Sequence, residues 1–281
     1  MNTSLKIFLQ FPLVKIVVGV TVCLGAMFLI KTYIAQPVLY KLFCNKELAD
    51  AIKNCISFST LLTSYFLFAT CYEQRKPVEI STSNLPTVMF GGLALGFCAI
   101  SLSIFILYLL GCYKIITIST TNYSLKLFTL LLTAALAEDL LIRGLIIRVL
   151  EKWLGTYITL IIAMLFETLH IFNPNSNLFS AILDLAWGFT MAMLFISTEK
   201  IWLPFFFHVG WNFAQPFYGS NLTGLADMGT IAQSQFSGPE ILTGGKVGIE
   251  GSIFTLIFLI MIGLTVFYFA KKDGKIIKRA R

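Results

Sequence analysis

Residues 127–150 read LFTLLLTAALAEDLLIRGLIIRVL. A stretch this long and this apolar can cross the roughly 30 Å of bilayer hydrocarbon as a helix, yet Glu138, Asp139 and Arg143 stand in its middle. An ionisable group at the centre of a membrane helix costs about 2.5–3.5 kcal/mol on insertion scales, so each needs a partner or a task. Helical spacing separates the three. Asp139 and Arg143 are i,i+4 and share a face, where they can hold each other. Glu138 is turned about 100° from Asp139 and about 140° from Arg143. It is left facing the bundle with no partner on its own helix, which makes it a candidate general base. Gly144, after the arginine, predicts a close helix contact at that level.

The rest of the chain supports a membrane setting. Of 281 residues, 57% are hydrophobic and 12% charged, against about 45–50% and 25% in soluble domains. The expected fold class is an all-α membrane protein, a bundle of about eight transmembrane helices forming one domain over 1–281, with a motif-bearing core at about 124–252. The predicted spans are Pro12–Tyr33, Ile56–Tyr72, Pro86–Cys112, Ser124–Leu150, Leu154–His170, Leu178–Ser197, Leu203–Tyr218 and Ser252–Ala270. The first has no small-residue cleavage site after it and is read as a retained helix. Gly91, Gly92 and Gly96 in the third would admit a neighbouring helix closely. Residues 219–251 are too polar for a ninth span but could fold back on the bundle.

An even span count puts both termini on one side. The tail residues Lys271, Lys272, Lys275, Lys278, Arg279 and Arg281 make that side the cytoplasm of a cell membrane. Against this, Lys31, Lys41, Lys46 and Lys53 fall in the first connection, on the other side. The +7 net charge therefore reflects topology and contact with anionic lipid headgroups, and no aromatic interleaving suggests nucleic acid. Trp153, Trp202 and Tyr157 fit an interfacial belt. The six cysteines show no CxxC pairing and read as apolar fillers. A composition rich in Ile, Lys, Phe and Asn suggests an AT-rich bacterial genome.

Only two histidines occur. His170 follows Phe166 by one turn, and Asn212 follows His208 at i+4. Counted along their helices, Glu138, His170 and His208 all fall in the membrane interior, so one cavity could hold them. A carboxylate, two imidazoles and a carboxamide suit attack of water on an amide: Glu138, helped by His170, takes the proton, while His208 and Asn212 donate to the oxyanion. Glu138, His170 and His208 would also make a two-His-one-carboxylate zinc set, although no HExxH occurs. Asp184 could face the same cavity. Glu167 is read as turned off the Phe166/His170 face, and Glu250 as capping the last helix together with Ser252.

Glu138-Asp139-x-x-x-Arg143-Gly144, Phe166-x-x-x-His170 and His208-x-x-x-Asn212 together resemble the three-motif signature of the CPBP family. These are the CAAX proteases and bacteriocin-processing or Abi proteins, the type II CAAX prenyl endopeptidases among them. The glycine-rich LTGGKVGIEGS that follows is similar to an element seen in many bacterial members. The resemblance implies an eight-helix intramembrane glutamic endopeptidase without a metal. Glu138 would activate water, with His170 assisting; His208 and Asn212 would form the oxyanion site, and Asp139, Arg143 and Phe166 would support. The family usually carries Glu-Glu where this chain has Glu138-Asp139. The implied partners are membrane lipid and a membrane-associated peptide or protein substrate, with peptide maturation or bacteriocin self-immunity as the setting. A non-catalytic scaffold of the same fold and a proton-coupled transporter are the rivals.

Overall fold

The computed structural model describes residues 7–118, 125–173, 175–222 and 230–278. Ser124, Arg279, Arg281 and the middle of the 219–251 connection, all named above, lie outside the described residues.

The helices follow the apolar runs. They are α1 (Pro12–Leu42), α2 (Lys46–Tyr72), α3 (Leu85–Leu109), α4 (125–154), α5 (Thr156–Phe172), α6 (Leu178–Thr198), α7 (Trp202–Phe217) and α8 (Ile253–Lys272). Five of them, α1, α2, α3, α6 and α8, are long and apolar enough to cross a membrane. The expected count of about eight is not reached on that criterion. Charges interrupt α4, α5 is a shorter apolar helix, and α7 has only 16 residues.

Local chemistry sets the ends. Asn45 accepts from the backbone N–H of Glu47 and Leu48 at the start of α2, and Asn177 with Ser180 forms a capping box on α6. Gly155, at φ +79, reverses the chain between α4 and α5. The first connection is only residues 43–45, so Lys31 and Lys41 belong to α1 and Lys46 and Lys53 to α2. Lys53 is buried against Asp50 at 2.5 Å, and Lys126 of α4 meets the other Asp50 oxygen at 2.8 Å.

Of the five spans the most buried is α6, which lies between α5 and α8. The tightest packing joins α3 to α7. A Cβ built on Gly96 would stand 2.1 Å from the Phe207 carbonyl oxygen, and one on Gly210 2.3 Å from that of Leu93. Gly92 makes a similar approach, whereas Gly91 faces nothing within 4 Å. Gly144 also packs as expected, against Ile201 and the Tyr65 hydroxyl.

The chain is not wholly helical. Strands β1 (Tyr113–Ile118) and β2 (Ala232–Phe236) pair antiparallel, with Tyr113 opposite Phe236. The long polar connection thus does fold back, and it satisfies part of its backbone as a strand. Tyr113 Oη donates to the Tyr218 carbonyl at 3.0 Å, fixing this ribbon to the end of α7. All six cysteines are free thiols. Trp153 and Tyr157 are exposed, as a belt requires, but Trp202 is buried against Phe205 and Phe206.

Both described ends of the chain lie at one end of the bundle. Tyr72 Oη donates to the Leu9 carbonyl at 2.7 Å, and Thr156 N–H to that of Ile277 at 2.9 Å. A buried polar network holds the same end. Arg148 binds both oxygens of Glu73 at 2.9 and 2.7 Å, and Arg75 binds Glu73 and Glu79. Burial alone would push the Glu79 carboxyl up, but Arg75 and Tyr65, which bond it, hold it below the usual carboxylate range.

Candidate active site

The middle of α4 is not an ordinary helix. Leu125–Glu138 is α-helical, Asp139–Ile147 winds in wider π turns, and the α-helix resumes at Arg148–Leu154. Wide turns displace backbone groups from the i→i−4 ladder. The Gly144 carbonyl accepts instead from Arg148 Nε at 2.8 Å and from Tyr65 Oη at 2.6 Å. The bulge begins at the acid pair, so the phase of the side chains after Glu138 departs from 100° per residue.

Asp139 is fully buried and faces two partners. His208 Nδ1 lies 3.1 Å from Asp139 Oδ2, and Arg143 Nε lies 3.6 Å from Oδ1. A carboxylate only accepts, so Nδ1 is the protonated nitrogen of His208 and Nε2 is the one turned outward. Arg143 makes its short contact elsewhere, with Nη2 donating to Glu167 Oε1 at 2.5 Å. Arg143 Nε and Nη1 and Asp139 Oδ1 are buried without hydrogen bonds. Charge, more than hydrogen bonding, therefore holds this part of the cluster.

Glu138 takes the opposite side. Its carboxylate opens into a cavity of about 440 Å³, whose walls include His170, Asn173, Asp184, Trp187, His208, Trp211, Asn212 and Glu250. Glu138 Oε2 stands 3.9 Å from His208 Nε2, too far for a direct hydrogen bond and within reach of one bridging water. No ion-pair contact joins Glu138 to His170. The imidazole next to the glutamate is His208, which the sequence assigned to the oxyanion.

α5 explains the other departures. It is α-helical over Thr156–Glu167 and tightens to a 3-10 helix over Thr168–Phe172. At three residues per turn, Glu167 and His170 fall on one side, and His170 Nδ1 is 3.9 Å from Glu167 Oε2. Glu167 is thus buried and binds Arg143, contrary to the secondary role read from the sequence, while Phe166 is largely exposed and stands outside the cavity. Asp184 does line the cavity, with Oδ1 3.9 Å from His170 Nδ1. Glu250 does not cap α8. Ser252 does so, accepting from Phe254 N–H, and Glu250 accepts from Gln215 Nε2 at 2.9 Å and from Trp211 Nε1 at 3.5 Å. Among the described residues, no three His, Cys, Asp or Glu side chains converge as a metal site. Glu138, His170 and His208 share a cavity without closing into the zinc set that their identities allowed.

Residues 120–214 match the family model of the Rce1-like type II CAAX prenyl endopeptidases. This is the family that the three motifs point to. The matched stretch is about a third of the chain and holds Glu138, Asp139, Arg143, Glu167, His170, Asp184, His208 and Asn212. Gln215, β2 and Glu250 fall outside this Rce1-like stretch. No match was found among curated proteins or among solved structures. Within the Rce1-like stretch the second acid is Asp139, and its shorter side chain still meets both His208 and Arg143.

Proposed function

We propose that the protein is an intramembrane endopeptidase that hydrolyses peptide bonds of membrane-associated peptides with water activated by Glu138. The observation that carries this is the placement of Glu138 and His208 Nε2, 3.9 Å apart across one cavity, with Asp139 behind the histidine. Water held between them gives its proton to Glu138 as it attacks the carbonyl. Asp139 favours the imidazolium form of His208, whose Nε2–H, with the Asn212 amide one turn away, steadies the oxyanion. The proton on Glu138 then passes to the leaving amine. His170, farther along the wall and beside Glu167 and Asp184, helps position the substrate. Arg143 and Glu167 keep Asp139 in place.

No step needs a metal ion, and membrane lipid with a peptide substrate are the partners of this chemistry. The lateral bilayer and a cavity of about 440 Å³ suit a small peptide or an exported leader better than a folded protein, which agrees with a part in peptide maturation or bacteriocin self-immunity. The test is cleavage of a quenched-fluorescent peptide library by the full chain in nanodiscs. Glu138→Gln is expected to lower kcat by at least about 10²-fold with the thermal transition retained, and a chelator to leave the wild-type rate unchanged. Cleavage undiminished in Glu138→Gln would overturn the assignment, and no cleavage of any peptide would favour the scaffold. A chelator-sensitive rate restored by zinc would replace the glutamate-only chemistry with a metal one.

A further inference from the structure

The proposed reaction accounts for Glu138, His208, Asn212 and the groups behind them, but not for the rest of the cavity wall. That wall carries two more carboxylates, Asp184 and Glu250, and two indoles, Trp187 and Trp211. Among the described residues, no lysine or arginine lines the cavity. Arg143, whose guanidinium meets Asp139 behind His208, is fully buried and committed to Glu167 and Asp139. Asp184 is only 8% exposed, and its Oδ2 makes no hydrogen bond. Its other oxygen has the His170 ring at 3.9 Å, beyond hydrogen-bonding distance. Among the described residues, only the His170 ring, when protonated and at 3.9 Å, offers this buried carboxylate a compensating charge.

The indoles continue the same surface. Trp187 sits 5.1 Å from the His208 ring and 5.2 Å from Trp211, centroid to centroid, and Trp211 reaches Glu250. Aromatic faces beside carboxylates attract an ammonium or guanidinium group, most strongly where water is excluded. Neutral or acidic side chains gain nothing comparable there. Glu250 and its donor Gln215 lie beyond the Rce1-like stretch, so the long connection adds this part of the wall.

We infer that the Asp184, Glu250, Trp187 and Trp211 wall is a subsite for a positively charged group of the substrate. The inference rests on the peptidase assignment and names its substrate class: apolar, membrane-seated peptides with a cation near the scissile bond. The cation is either a lysine or arginine side chain or a free N-terminal amine. It gives the bound peptide a fixed register relative to Glu138.

The test is binding, so that it stands apart from turnover. Fluorescein-labelled apolar peptides with Lys, norleucine or Glu at one central position, each with free and acetylated N-terminus, are titrated by anisotropy against the Glu138→Gln chain in zwitterionic nanodiscs. The Lys peptide is expected to bind about tenfold more tightly than the norleucine peptide, and the Glu peptide more weakly still. Asp184→Asn and Glu250→Gln, added to that chain, are expected to shrink the Lys-over-norleucine ratio toward one. A preference that follows acetylation instead assigns the wall to the terminal amine. Equal affinity for all peptides, including equally no binding, overturns the inference, as does a ratio unchanged in both variants. If a variant does not fold, the comparison of peptides on the parent chain decides alone. Charge-selective binding without cleavage by wild type would sink the peptidase assignment and keep the subsite.

Discussion

Asp139 meets His208 through one carboxylate oxygen and Arg143 through the other, so neutralising it affects two groups at once. Asp139→Asn keeps the volume but can present an N–H to His208 Nδ1, which disfavours the imidazolium that the oxyanion needs. The expected result is a fall in kcat on the order of 10²-fold or more with KM little changed, read with any peptide that wild type cleaves. Glu167→Gln affects stability instead. It leaves Arg143 with only the 3.6 Å contact to Asp139 inside a fully buried site. Breaking a buried pair from one side costs about 3–5 kcal/mol, visible as a lower midpoint in a thiol-reactive dye melt. The acid pair, the arginine and both histidines were legible in the sequence because each is costly in an apolar helix. Glu167 was not: its i,i+3 spacing already sets it only about 60° from His170, but the partner that gives it a role, Arg143, sits 24 residues away on another helix.

Two elements carry the site, and each is positioned by something other than its own sequence. α7 holds His208 and Asn212 because α3 lets it approach. A methyl at Gly96 would overlap the Phe207 carbonyl, one residue from His208. Gly96→Ala is therefore expected to destabilise by about 1–3 kcal/mol and to depress kcat by displacing α7, whereas Gly91→Ala, which meets nothing, serves as the silent control. Melting curves and rates for the pair check this. The three glycines could be read as a contact face, but the sequence could not say which of them makes it. α4 is held from its far end. Tyr65 and Arg148 bind the Gly144 carbonyl, and Arg75, Glu73 and Glu79 bind those two in turn. Glu79 titrates lower in the fold than its ordinary 4.5. Its stabilising contribution is thus present above about pH 4.5 and fades as pH falls through the lower folded value. Wild type should lose thermal stability on acidification through that window more steeply than Glu79→Gln, as melts across the acid range would show. Nothing in the sequence signalled this network, because its members are spread over two helices and a loop.

Across the whole molecule, the cavity and the described chain ends lie at opposite ends of the bundle. The cavity reaches Asn173, Leu222 and Glu250 in the connections at one end, while Leu9 and Ile277 are bound at the other. Composition made the membrane setting legible, but the sense of the site depends on which end is cytoplasmic. Arg75, Lys76, Arg148, Lys152, Lys200, Lys271, Lys272, Lys275 and Lys278 belong to the end with the chain ends. Lys41, Lys46, Lys53, Lys114, Lys126 and Lys246 belong to the cavity end, and Asp50 takes up two of these. The lysines around the first connection therefore weigh less against the tail than their number suggests. Basic residues favour the cytoplasmic side, so we expect the cavity mouth on the far side of the membrane, where it would receive peptides already exported. Single-cysteine chains test this with a membrane-impermeant maleimide. The native Cys44, exposed in the connection between α1 and α2 at the cavity end, is expected to react in intact cells. A cysteine at Lys272→Cys should react only after permeabilisation. The reverse pattern would turn the mouth toward the cytoplasm and make nascent or cytoplasmic peptides the substrates to try first.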